Sequence, residues 1–281
     1  MPFFKNRQSI NINYRVINEE TNYFPVVLIH GYGSSMQVFA KQVPFLKKYF
    51  KIILFDAAGH GESEKSKSEE DLIKKTAQDL EELLNKLEID SKIGILTHSL
   101  FGSCVAQDFI SEYQNRTEFI IFLNGGTLRL ENNIRYIFWN LLPKFTRMHF
   151  KEIAQISLDL LIDRTMPFIE KAIIPEGTEF SEEEIESLEE KIKSDISEML
   201  ESNYFSYNIS CPCLIIGAEL DDFAPDYMSK QMYDNIEGSE LYIVKMTGHY
   251  GLSQIPHEYN ELIFTFLRKI NIIKISKHLD E

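Results

Sequence analysis

The sequence predicts an α/β fold, a mostly parallel twisted sheet flanked by helices, from two observations. Short, nearly continuous apolar runs recur along the chain, and amphipathic helical patterns lie between them. Continuous runs are expected of parallel strands covered on both faces, and strands alternating with helices build such a sheet. A third observation, one long stretch where the alternation stops, predicts an insertion.

Taken in order, Ile10, Ile12, Tyr14 and Val16 alternate with polar residues, the period of a half-buried antiparallel strand. The continuous runs then follow at 26–29, 52–55, 93–96, 119–123, 214–216 and 241–244. The clearest helix carries Leu72, Ile73, Thr76, Ala77, Leu80, Leu83, Leu84 and Leu87 as one apolar stripe opposite a charged face. The alternation stops at Gly125-Gly126 and resumes at Pro212. Helical patterns at 134–142, 150–161 and 185–200 fill the interval, the last introduced by a capping box of Ser181 and Glu184. Residues 1–125 and 209–281 are therefore expected to form the sheet domain and 126–208 a helical cap. The glutamate-rich stretch 179–190 reads as a solvated helix face.

Composition narrows the function classes. With 281 residues and 44% hydrophobic content, the chain is long enough for one large core plus an insertion. A net charge of -14 leaves no basic stripe to neutralise phosphates, so nucleic acid is not an expected partner. No run approaches the ~18 to 20 apolar residues of a spanning helix, so no membrane insertion is expected. Residues 1–11 have no apolar core of the secretory kind, and a cytoplasmic location is expected. Cys104, Cys211 and Cys213 read as structural thiols; they are too few for a metal site.

Five motifs stand at strand ends. They are His30-Gly31-Tyr32-Gly33-Ser34-Ser35; the turn from Asp56 through Gly59 and Gly61 to Ser63; Thr97-His98-Ser99-Leu100-Phe101-Gly102; the stretch from Gly217 through Asp221 and Asp222 to Pro225; and Gly248-His249, followed by Gln254 and Pro256. A serine hydroxyl is a poor nucleophile until a base takes its proton, and an imidazole suits that task if a carboxylate fixes its tautomer. Open parallel sheets place such groups at the carboxyl ends of their strands. The order serine, carboxylate, histidine separates this chain from the chymotrypsin and subtilisin arrangements.

Together the motifs resemble the α/β-hydrolase superfamily, in its serine hydrolase branch with a helical cap between the sixth and seventh strands of the main sheet. The resemblance implies Ser99 as nucleophile and His249 as base. Asp221 stands four residues before Pro225 and is favoured as the acid over Asp222, with Glu219 outside them. It also implies an oxyanion hole of two backbone N–H groups, those of Tyr32 and Leu100, with Gly31 and Gly33 letting the loop turn. The Asp56 turn reads as structural.

Ser99 has Thr97 and Phe101 where the family has small residues two before and two after the nucleophile. Phe101 is expected to be tolerated, although its ring stands where it could wedge the following helix from the sheet. The implied activity is cofactor-independent hydrolysis of a small-to-medium ester, thioester or lactone with an apolar portion, through an acyl-enzyme. Carbon-carbon bond hydrolysis with the same triad stands beside it, as does a hydrolase-like small-molecule binding protein without turnover. Apolar side chains such as Trp139, Phe145 and Phe168 in the cap segment suit an apolar pocket. No metal or dinucleotide is implied: Gly31-x-Gly33 lacks the third glycine and the acidic partner of a nucleotide fingerprint.

Overall fold

Neighbouring residues of a strand point to opposite faces, and here both faces are apolar. Val27, Ile29, Ile53, Phe55, Ile95, Ile120, Phe122 and Ile215 belong to one buried cluster. Their neighbours Val26, Leu28, Ile52, Leu54, Leu96, Ile121, Leu214 and Ile216 belong to another. A chain with this pattern is driven to cover its sheet from two sides, as the continuous runs predict. The structure, a computed structural model, describes residues 2–65, 71–126 and 209–273.

Eight strands are described: β1 (Phe3–Lys5), β2 (Asn11–Ile17), β3 (Phe24–Ile29), β4 (Phe50–Phe55), β5 (Ile93–His98), β6 (Thr117–Leu123), β7 (Cys213–Ala218) and β8 (Glu240–Val244). They form one sheet in the order β1-β2-β4-β3-β5-β6-β7-β8. The strands from β3 onward are paired in parallel, and the β1-β2 hairpin joins β4 antiparallel through Tyr14↔Phe55. The sheet is thus mostly parallel, as predicted; β1, three residues long, has no periodic signature to announce it.

The described helices are α1 (Val43–Leu46), α2 (Leu72–Lys86), α3 (Ser99–Glu112), α4 (Asp226–Asn235), α5 (Gly251–Gln254) and α6 (Pro256–Lys269). Helices α2, α3 and α4 contribute Leu80, Leu83, Val105, Phe109, Met228 and Met232 to the first cluster. The second face is covered by a short turn at Met36–Phe39, by Leu46 of α1, and by Tyr259, Ile263 and Leu267 of α6. The apolar stripe read for α2 lies on its buried face, which has one charged member. Asp79 is buried there and accepts a hydrogen bond from Asn6 Nδ2 at 2.8 Å, which ties the β1-β2 hairpin to the helix.

The expected cap, apart from Gly126, lies outside the described residues, as do Trp139, Phe145 and Phe168. The described chain leaves the sheet after β6 and re-enters it at β7. Among the described residues no helix is long and apolar enough to cross a membrane, and no group of three or more His, Cys, Asp or Glu residues could hold a metal ion.

Candidate active site

Each residue of interest lies at or just beyond the carboxyl end of a parallel strand. Strand β5 ends at His98 and α3 starts at the next residue, so Ser99 carries the whole reversal from strand to helix. Its φ of 67° is in the left-handed region that side chains other than glycine seldom occupy. Such a sharp strand-to-helix turn is the geometry that a nucleophile elbow requires. Leu100 lies in the first turn of α3, where backbone N–H groups have no acceptor within the helix.

The loop after β3 packs directly on this turn. A Cβ at Gly31 would stand 2.6 Å from Ser99 Cβ and 3.2 Å from its Oγ, so only glycine permits the contact. That approach sets Gly31 beside Ser99, and each is followed by a residue, Tyr32 or Leu100, proposed to supply an oxyanion donor. His30 holds the loop from behind. The Ala57 N–H donates to His30 Nε2 at 3.0 Å, so Nδ1 carries the ring's proton and donates to the Gly31 carbonyl at 2.7 Å. Burial pushes the His30 pKa down, which keeps that tautomer neutral.

The turn from Asp56 to Ser63 is a scaffold. Asp56 Oδ1 accepts from the Met36 N–H at 2.7 Å, and Oδ2 accepts from the Glu62 N–H and from Asn13 Nδ2. These bonds join β2, β4 and the loop after β3.

Phe101 is accommodated by a division of labour in α3. The close contact with the sheet falls on Gly102, where a Cβ would meet the Ile29 carbonyl oxygen at 2.8 Å and that of His30 at 3.0 Å. Phe101 therefore leaves the helix sideways. It is 1% exposed, stacks on His60 with ring centroids 5.7 Å apart, and packs near Tyr32 and His30. The ring fills space beside the elbow, and α3 keeps its place against β3.

Downstream, the structure separates the acidic residues. Both Asp221 carboxylate oxygens face His249 Nδ1, at 3.0 and 2.9 Å. A carboxylate only accepts, so Nδ1 is the protonated nitrogen and Nε2 is left as the basic one. Asp221 Oδ1 also accepts from the N–H groups of Phe223 and Ala224, which orient the carboxylate. Asp222 is exposed, and Glu219 is turned outward to Lys245 Nζ at 2.7 Å.

The His249 ring is enclosed by aromatic groups, Phe223 at 4.9 Å, His98 at 4.7 Å and Tyr250 at 5.4 Å between centroids. His98 is buried and its Nε2 faces the His249 carbonyl oxygen at 3.1 Å, so that nitrogen donates. Burial, with the neighbouring His249 adding to it, lowers the His98 pKa to about 3. The ring is neutral at physiological pH and places no second charge beside His249.

Two buried residues of this neighbourhood, Asn124 and Tyr259, are absent from the sequence-level site. Asn124 follows β6 with φ 47°, and its side chain binds the Gly248 and His249 carbonyls. The asparagine-glycine pair at a strand end signals a turn, and a turn signal says nothing of what the side chain will hold. Away from the site, burial raises the Cys104 thiol to about 12 and the Cys211 thiol to about 11, which leaves both protonated and unreactive at neutral pH.

Residues 25–254 match the family described as the alpha/beta hydrolase fold. The uncharacterized hydrolase YugF of Bacillus subtilis (strain 168) is 24% identical over 248 residues, 86% of this chain and 89% of the relative. The 2-hydroxy-6-oxononadienedioate/2-hydroxy-6-oxononatrienedioate hydrolase of Escherichia coli (strain K12) is 26% identical over 262 residues, 87% of each. Among solved structures, a thermophilic esterase from Thermogutta terrifontis superposes with a TM-score of 0.67 at 20% identity, covering 96% of this chain and 99% of the esterase.

Proposed function

The chain belongs to the alpha/beta hydrolase fold family, and from that premise we propose that it is a cofactor-independent serine hydrolase. Its substrate would be a small-to-medium ester, thioester or lactone with an apolar portion. The observation that carries this reading is one arrangement. A buried carboxylate-imidazole pair, Asp221 and His249, lies at the same sheet end as a serine held at φ 67° against a glycine loop.

In this mechanism His249 Nε2 takes the Ser99 hydroxyl proton as Oγ attacks the acyl carbon. Asp221 holds the Nδ1–H tautomer and stabilises the imidazolium that forms. The backbone N–H groups of Tyr32 and Leu100 bind the oxyanion, and losing one such donor typically costs ~2.7 to 4 kcal/mol of transition-state stabilisation. Collapse of the tetrahedral intermediate releases the alcohol, thiol or ring oxygen, which takes the proton from His249. Water, deprotonated in turn by His249, then hydrolyses the acyl-enzyme and frees Ser99. We assign substrate preference to segment 126–208, by its place in the chain between β6 and β7 and its large apolar side chains.

A second reading, carbon-carbon bond hydrolysis by the same three residues, is favoured by the name of the Escherichia coli relative. The catalytically impaired binding protein loses its motive, because Phe101 packs beside the elbow without parting α3 from β3. One experiment covers all three. Fluorophosphonate labelling at Ser99 is paired with turnover of acyl esters of graded chain length and of a 2-hydroxy-6-oxo-dienoic acid, with Ser99→Ala as control. Labelling with ester turnover supports the first reading, and turnover confined to the dienoic acid selects the second. A wild-type chain that neither labels nor turns over any of them sinks both.

A further inference from the structure

Resting on the reading of His249 as the catalytic base, we propose that Asn124 and Tyr259 are positioning residues that hold His249 through its backbone carbonyl. The ring would then be fixed from the main chain as well as from Asp221. Asn124 Nδ2 lies 2.8 Å from the His249 carbonyl oxygen and 3.0 Å from that of Gly248. Both oxygens can only accept, so they require the NH2 side of the amide, and the assignment of its two ends is not free. The amide oxygen is thereby turned the other way, where the Tyr259 hydroxyl donates to it at 2.6 Å.

The result is a directed relay from α6, through the residue that ends β6, to the loop that carries the base. Asn124 and Tyr259 are both fully buried. Each end has its own anchor. The Asn124 N–H donates to the Ile216 carbonyl of β7 at 2.7 Å, and the Tyr259 ring is part of the core beneath the sheet. The left-handed φ of Asn124 is the conformation that aims the amide across the strand ends, and asparagine is among the few side chains that adopt it readily.

The chemical consequence follows from leverage. Asp221 grips Nδ1, but a ring gripped at one edge pivots if its backbone moves. An error of about 1 Å at a reacting atom can remove on the order of a hundredfold in rate. His98 donates to the same carbonyl from another side, so removing Asn124 leaves part of the grip in place.

The test compares Asn124→Leu, Tyr259→Phe and the double variant, reading kcat and KM per folded molecule. It also follows the downfield proton resonance expected for His249 Nδ1–H, a readout that does not depend on turnover. The expected result is a kcat loss of about tenfold to a hundredfold for Asn124→Leu and about threefold to tenfold for Tyr259→Phe, with KM nearly unchanged. The double variant should be no worse than Asn124→Leu, because Tyr259 acts through Asn124. The resonance should broaden in both single variants as the loop loosens.

Wild-type kcat and an unshifted, sharp resonance in Tyr259→Phe would overturn the proposal, and so would independent, multiplying losses in the double variant. If Asn124→Leu does not fold, Tyr259→Phe decides alone, since it keeps the ring and removes one oxygen. A wild-type chain without turnover defeats the hydrolase reading, and the resonance then still reports whether Asn124 and Tyr259 hold His249.

Discussion

Around Ser99 the backbone is held by shape: a methyl group on Gly31 would stand 2.6 Å from Ser99 Cβ, and one on Gly102 would stand 2.8 Å from the Ile29 carbonyl. Around His249 it is held by hydrogen bonds, to Asp221 at the ring and to Asn124 and His98 at the carbonyl. The two sides should fail differently. Close packing against a carbonyl oxygen, or against a Cβ fixed to its own backbone, cannot yield by a few tenths of an ångström, so a single methyl acts as a switch. A hydrogen bond contributes about 0.5 to 1.5 kcal/mol net, so losses on the His249 side should be graded unless a charge is left without its partner.

The largest effects test the proposed nucleophile and base, one on each side. Ser99→Ala and His249→Ala should each lower kcat by on the order of a millionfold, because such residues act as a unit. Their melting temperatures should stay near that of the wild type. Substantial residual turnover in a folded Ser99→Ala protein would place the nucleophile elsewhere.

Next comes the pair of aspartates. Asp221→Asn should cost on the order of ten-thousandfold in kcat, since an amide opposite Nδ1 favours the wrong imidazole tautomer. Asp222→Asn, which alters an exposed side chain, should stay within about twofold of wild type. Steady-state kinetics on both variants checks the ranking, and a reversed order would move the acid by one residue.

Gly31→Ala sharpens the contrast itself. The added methyl has no room, so the loop must shift, and the Tyr32 N–H that we propose as an oxyanion donor must move with it. A kcat loss of about a hundredfold and slower fluorophosphonate labelling are expected. Near-normal labelling would mean that the serine side yields as softly as the histidine side.

The smallest effect at neutral pH concerns the buried histidines, one on each side. His98 has a folded pKa lowered to about 3, whereas an unfolded histidine takes its proton near ~6.5. Between those values the unfolded chain binds the proton and the folded chain does not, so stability falls as the pH drops below about 6.5. The slope from this one ring is at most about 1.4 kcal/mol per pH unit. His98→Asn should make urea-unfolding stability fall less steeply from pH 7 to 5 than in the wild type, with His30 still contributing its share. Parallel slopes would show that His98 does not titrate on unfolding.

Much of this is legible in the sequence. The runs at 26–29, 93–96 and 214–216 lie within strands, and the stripe from Leu72 to Leu84 is the buried face of α2, because each pattern states locally which side meets the core. Phe101 was harder. Its side chain is too large for the tight contact of an elbow, and sequence alone does not say that Gly102 takes that contact while His60 and Tyr32 receive the ring.

By itself the sequence determined the α/β alternation, the strand ends where Ser99, Asp221 and His249 stand, and the glycines that let a loop approach the serine. Those properties reside in periodicity and turn chemistry, which act over a few residues. Only the tertiary structure decided that Asp221 faces His249 while Asp222 faces solvent, that Asn124 reaches the same histidine, and that Tyr259 reaches Asn124. These contacts span 28, 125 and 135 residues of chain. Which side chain closes such a contact depends on the register and twist of the whole sheet, and neither is written in the residues at the two ends.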